Sequence, residues 1–227
     1  MKPERNYQRL VGLLTMLSAL LALGSMVVGS FAVEFNFDAF TNPTVLLNYS
    51  QHHEAAKWSM LLDMLGYYLL LVPVIFYLHE QLRSKTPWVN VFTFSGLAYV
   101  LIGAIGAAIL ASVWSQQMQR YLTAGAEQRI ALQAALENVT WIVYGGMWNI
   151  LEVLLCGVWW VGVGYAVKKD FKALGLTTIL LGAACLIDGM GNMVGLKTVA
   201  EAGLNLYLVL AIVWPAWIGW LIYRGRI

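Results

Sequence analysis

Between Thr140 and Val167 the chain reads TWIVYGGMWNILEVLLCGVWWVGVGYAV, with Glu137 before the run and Lys168 after it. Its single charge, Glu152, stands almost at the midpoint. A helix of this length rises far enough to cross a hydrocarbon core about 30 Å thick. A carboxylate at the centre of such a helix costs at least ~2.5 kcal/mol on insertion scales. Glu152 must therefore face protein or water rather than lipid.

The rest of the chain has the same character. It holds 227 residues, 60% hydrophobic and 11% charged, where a soluble domain carries about 25% charged residues. That composition places it among integral membrane proteins. The net charge of +2 is spread over loops, with no basic stripe of the kind nucleic acid requires. Cys156 and Cys185 both fall in apolar runs and read as small buried hydrophobes, with a disulfide or ligand pair as the alternative. Lys2, Arg5 and Arg9 precede the apolar stretch Leu10–Val33. That stretch exceeds an ordinary signal-peptide h-region and reads as a first span.

Six runs can be drawn: Leu10–Val33, Trp58–Leu78, Val89–Trp114, Val139–Val167, Leu176–Val194 and Leu204–Tyr223. Without water to satisfy the backbone, each must be helical. The expected fold is all-α, one six-helix transmembrane bundle over residues 1–227. One set of connections and ends collects Lys2, Arg5, Arg9, Arg83, Lys85, Lys168, Lys169, Lys172, Arg224 and Arg226. The other side collects only Lys57, Arg120, Arg129 and Lys197. The positive-inside rule then predicts both termini in the cytoplasm, in an inner (plasma) membrane.

The segment 34–57 on the outer side is rich in Phe35, Phe37, Phe40, Val45, Leu46, Leu47 and Tyr49. It reads as an interfacial loop or as a lid over the outer helix ends. The third connection, 115–138, is expected to continue the fourth helix outward by two or three turns. In the third span Gly96, Gly103, Gly106, Ala107 and Ala111 recur at three- and four-residue spacings, a pattern that lets helix backbones approach closely. Pro73 and Pro215 predict kinks in the second and sixth spans.

Three acids lie inside spans. From the charged flanks, Glu152 is central, Asp188 lies ~5 Å outward and Asp63 ~8 Å outward at 1.5 Å per residue. Asn149 precedes Glu152 by three residues, Asn192 follows Asp188 by four, and Tyr67 follows Asp63 by four. On α-helices these spacings put each pair on one face. The reading is a shared polar site of Glu152, Asp188, Asp63, Asn149 and Asn192 for a proton, cation or small solute. Two acids that close do not both ionise cheaply, so a proton is shared unless a cation is bound. The alternative is a set of hydrogen bonds that only locks helices together. His52 and His53 are solvated loop histidines or, alternatively, metal ligands. Met60, Met64, Met147, Met190 and Met193 crowd the same layer as core filler, with a Cu(I) site as the alternative. Nothing in the sequence identifies a cofactor.

No Walker A loop, HExxH, nucleophile elbow or CxxC is present, and no span carries the regular arginines of a voltage sensor. The motifs Arg9-Leu10-Val11-Gly12-Leu13-Leu14, Lys172-Ala173-Leu174-Gly175, and Trp214 and Trp217 with Gly219 resemble a bacterial family of small multi-span membrane proteins of unknown function. The resemblance implies the architecture and carries no activity. Three function classes follow: proton- or cation-linked transport or conduction of a small solute, a membrane-embedded enzyme acting on a lipid-like substrate, and a non-catalytic subunit or assembly factor. The expected partners are the bilayer itself and, through the small-residue faces and tryptophans, another copy of the chain or a larger membrane complex. The charge asymmetry gives the first test: a reporter fused after Ile227 should be active on the cytoplasmic side, and activity on the far side would overturn the orientation.

Overall fold

The computed structural model describes residues 5–227, so Lys2 lies outside the described residues. Among these there is no strand. Six helices are long and apolar enough to cross a membrane: α1 (Arg5–Ala32), α2 (Pro43–Leu82), α3 (Val89–Thr123), α4 (Ala126–Val167), α5 (Lys172–Met193) and α6 (Lys197–Tyr223). Each packs against its neighbours in sequence, and α6 closes against α1. The result is an up-and-down ring, as short helix connections favour. One end carries Arg5, Arg9, the 83–88 and 168–171 turns and Arg224; it is called the basic end below. Across it Lys85 Nζ reaches Asp170 Oδ2 at 2.5 Å, tying two turns together.

A six-membered ring encloses more space than aliphatic side chains fill, and aromatic rings occupy it. Trp159, Trp160 and Trp214 are buried with centroids 5.1 to 6.0 Å apart. Tyr99 packs on Trp160 at 5.3 Å, and Tyr68 on Tyr99 edge-on at 5.4 Å. Offset and edge contacts of this kind add to the area each ring buries. Leu10, Leu13, Leu17 and Leu20 of α1 point outward, the direction lipid would occupy.

Glycine works differently along different seams. A Cβ on Gly182 of α5 would meet Val161 N of α4 at 2.6 Å, and one on Gly12 of α1 would meet Tyr223 N of α6 at 2.6 Å. Those are backbone approaches. The α3 glycines were expected to serve the same purpose, and they do not. Gly103 makes room for the Tyr68 ring, Gly106 for the Trp148 indole and Gly96 for the Trp159 indole. The reason is the ring: α3 faces bulky interior aromatics, so its small residues are sockets.

The third connection is almost wholly helical. Both α3 and α4 project past the expected span ends, and only Ala124 and Gly125 separate them. The segment 34–57 leaves α1 through the left-handed residues Glu34 and Phe35 (φ 49° and 63°). Ala39, Leu46 and Leu47 are buried in a core cluster shared with Leu110, Trp114 and Leu136 of α3 and α4. Phe40 stacks on Trp114 at 6.3 Å, whereas Phe35 and Phe37 are 61% and 59% exposed. The left-handed turn aims Phe35 outward against Phe31 (5.6 Å), so of the three phenylalanines only Phe40 anchors the segment. His52 Nε2 and Gln51 Nε2 both approach Glu34 Oε1, at 3.1 and 3.4 Å.

The α4–α5 seam can be tested by substitution. Gly182→Val should destabilise the bundle by ~1–3 kcal/mol through overpacking. Gly146→Ala, where an added Cβ meets nothing within 4 Å, should stay within about 0.5 kcal/mol of wild type. Unfolding in detergent measures both, and equal effects would contradict the seam.

Candidate functional site

α2 is not a uniform helix. Asp63 ends its regular α-turns, Met64–Tyr68 follow as a π-helical stretch, and Leu69–Leu71 tighten to 3-10 before Val72–Leu82 resumes α geometry. Tyr68 has φ −127° and ψ −79°, far from helical values. Pro73 accounts for the break at its C-terminal side, since it offers no N–H and crowds the carbonyl four residues earlier, that of Leu69. The released carbonyls are satisfied by side chains. Ser18 Oγ donates to the Gly66 carbonyl, and Tyr99 OH donates to the Tyr67 carbonyl at 2.6 Å.

α4 has its own irregularity. Ile142–Glu152 is π-helical, with α geometry on either side. The Gly145-Gly146 pair lies within it, a weak point for a helical ladder. Glu152 closes the stretch and is 2% exposed. Tyr68 OH donates to both of its carboxyl oxygens, Oε1 at 3.1 Å and Oε2 at 3.2 Å. The two backbone irregularities thus meet at one hydrogen-bonded pair, and π-bulges frequently mark functional sites.

Asp63 and Asp188 both lie within electrostatic reach of Glu152. Asp188 is 1% exposed; Asn192 Nδ2 donates to its Oδ1 at 2.7 Å and to its backbone carbonyl at 3.0 Å. Among the described residues, the second carboxyl oxygens of Asp63 and Asp188, the Tyr67 hydroxyl and the indole N–H groups of Trp148 and Trp160 are buried without a hydrogen-bond partner. So many orphaned polar atoms in one protein interior call for an explanation, because buried polar groups are normally paired. Cys156 and Cys185, both free and buried, adjoin each other, and Cys156 is also in electrostatic reach of Glu152 and Asp188.

The five residues expected to form a site separate into groups. Glu152, Asp63 and Asp188 share one neighbourhood. Asn192 serves Asp188 on its own helix. Asn149 is half-buried and does not bond to Glu152. Its three-residue spacing implies a common face only on an α-helix, not on the wider π turn found here. The same effect explains the residue that the spacing missed. In α2 the shift brings Tyr68, five residues after Asp63, onto Glu152. Pro73 was the sequence signal for that break. Among the described residues, no group of three His, Cys, Asp or Glu side chains converges as a metal ion would require. His52 faces Glu34, and His53 lies beside Glu54 at 3.6 Å.

Comparison with protein-family models, curated proteins and solved structures finds no match to this chain.

A double-mutant cycle tests the central pair. Tyr68→Phe and Glu152→Gln should each destabilise by ~1–3 kcal/mol, since each disturbs a buried bond to a carboxyl group. Their effects should be coupled by at least about 0.5 kcal/mol. Strictly additive losses would show that the two side chains do not interact in the membrane.

Proposed function

We propose that the chain is a proton-linked carrier or conduit for a small solute, with Glu152 as the proton-carrying group and Asp63 and Asp188 as its exchange partners. The observation that carries the proposal is the Glu152–Tyr68 pair, buried where two helices depart from α geometry. Among the described residues no Lys or Arg pairs with Glu152. A buried carboxyl group without a counter-charge is neutralised by a proton or a bound cation. The Tyr68 hydroxyl lies on the Glu152 carboxyl group, an arrangement that suits a proton relay. Intramembrane acids, moreover, commonly belong to proton relays.

The route to the site starts at the end opposite the basic one, which we assign to the outer face on the charge asymmetry. Phe40 stacks on Trp114, Trp114 on Tyr144 at 6.1 Å, and Tyr144 meets Trp148 edge-on at 4.8 Å. Tyr144 lies in electrostatic reach of Asp63. The segment 34–57 therefore sits over an aromatic column that leads to the acids, the place a lid would occupy. Depth of burial favours a second reading, a non-catalytic membrane subunit whose acids only fasten helices.

Reconstitution separates the two. Wild-type protein in liposomes with a lumenal pH-sensitive dye should move protons when a solute of the right class is supplied from a panel of amines, organic acids and sugars. Glu152→Gln should remain folded and lose that movement. Proton movement unaltered in Glu152→Gln would overturn the assignment, and its absence from wild type with every solute would favour the subunit reading.

A further inference from the structure

At the basic end, the first turns of α1 and the last turn of α6 enclose a cavity of about 660 Å³. Arg5 and Arg9 line it from one side and Arg224 and Arg226 from the other, with Gln8 and Tyr223 between them. Two other basic residues at this end have acidic partners: Arg83 pairs with Glu80 at 3.1 Å and Lys85 with Asp170 at 2.5 Å, whereas Lys168, Lys169 and Lys172 stand apart from the cleft's lining. Among the described residues, no carboxylate lies within ion-pair distance of any of the four arginines.

Three of the four guanidinium groups are held by aromatic rings. Arg9 lies over Tyr223 at 6.0 Å, Arg224 over Trp220 at 6.0 Å and Arg226 over Trp220 at 5.1 Å. Such placement restrains an arginine without consuming its hydrogen-bond donors. The backbone beneath is fixed as well, because the Gly12–Tyr223 approach locks α1 to α6. Gly225 adopts a left-handed φ of +68° that turns the chain back after α6. Ile227 O then accepts from Tyr77 OH at 2.5 Å and from Gln8 Nε2 at 2.9 Å. The two arginine pairs therefore face one another across a braced cleft rather than hanging from a loose tail. Trp220 and Tyr223 are both exposed at the bundle's surface, the level at which aromatic residues meet lipid headgroups.

We infer that this cleft is a binding site for the phosphodiester headgroup of an anionic phospholipid. Guanidinium forks match a phosphate in bidentate geometry, and basic pockets between transmembrane helices on the cytoplasmic side bind such headgroups. Trp220 beside Arg224 and Arg226, and Leu10 next to Arg9 in the chain, are exposed and offer apolar surface to acyl chains.

Native mass spectrometry of the full chain, released from detergent with added phosphatidylglycerol or phosphatidylcholine, tests the site. Wild type should retain one phosphatidylglycerol in preference to phosphatidylcholine. Arg224→Gln/Arg226→Gln should lower that retention at least about tenfold, given the contribution of each basic residue near an anionic surface. Lys168→Gln/Lys169→Gln, an equal charge change at the same end, should leave it unaltered. Arg224→Lys/Arg226→Lys keeps the charge and the fold and should still lose part of the preference, because the bidentate fork is gone. Equal retention of both lipids, equal losses in the arginine and lysine double variants, or displacement of the lipid by millimolar inorganic phosphate would each overturn the inference.

Discussion

The hydrogen bond from Tyr68 to both oxygens of Glu152 depends on a backbone that is not α-helical on either side of it. In hydrocarbon that is tolerated only where other protein groups satisfy the released carbonyls. Here Ser18 of α1 and Tyr99 of α3 do so, which ties the irregular part of α2 to both its ring neighbours. Gly103 then leaves the space the Tyr68 ring needs. Four helices therefore contribute to one contact, and none of its parts makes sense alone.

The ring architecture explains the use of aromatic residues. A tighter bundle would fill its axis with leucine and valine, but six helices leave a wider interior, and Trp159, Trp160, Trp214, Tyr99 and Tyr207 fill it. Tryptophan and tyrosine bring polar atoms with their bulk. Some find partners, as Trp214 Nε1 does on Thr178 Oγ1 at 2.8 Å and Trp114 Nε1 on Thr140 Oγ1 at 3.0 Å. Others, the Tyr67 hydroxyl and the Trp148 and Trp160 indoles, find none among the described residues. The polar character of the site comes as much from these rings as from the acids.

Much of this was legible in the chain. Apolar length alone marks six membrane helices, because hydrocarbon thickness is a strong constraint. The burial of Glu152 and Asp188 followed from the cost of exposing an acid to lipid. What spacing could not supply was the identity of the facing residues. Every face assignment assumed 3.6 residues per turn, and two of the helices depart from it where the acids lie. Tyr68 was missed for that reason. The glycines of α3 were ambiguous in the same way: a small residue can admit a backbone or a ring, and only the tertiary arrangement distinguishes them. The paired arginines of the α1–α6 cleft could be counted in the sequence, but their convergence depends on ring closure between the first and last helices.

The central claim is that Glu152 carries a proton while Tyr68 donates to its carboxyl group. Infrared spectroscopy of the chain in lipid at neutral pH, with isotope-labelled glutamate, reads this directly. A protonated-carboxyl band should appear in wild type, change frequency in Tyr68→Phe and vanish in Glu152→Gln. Only ionised carboxylate bands, the same in all three proteins, would contradict the account.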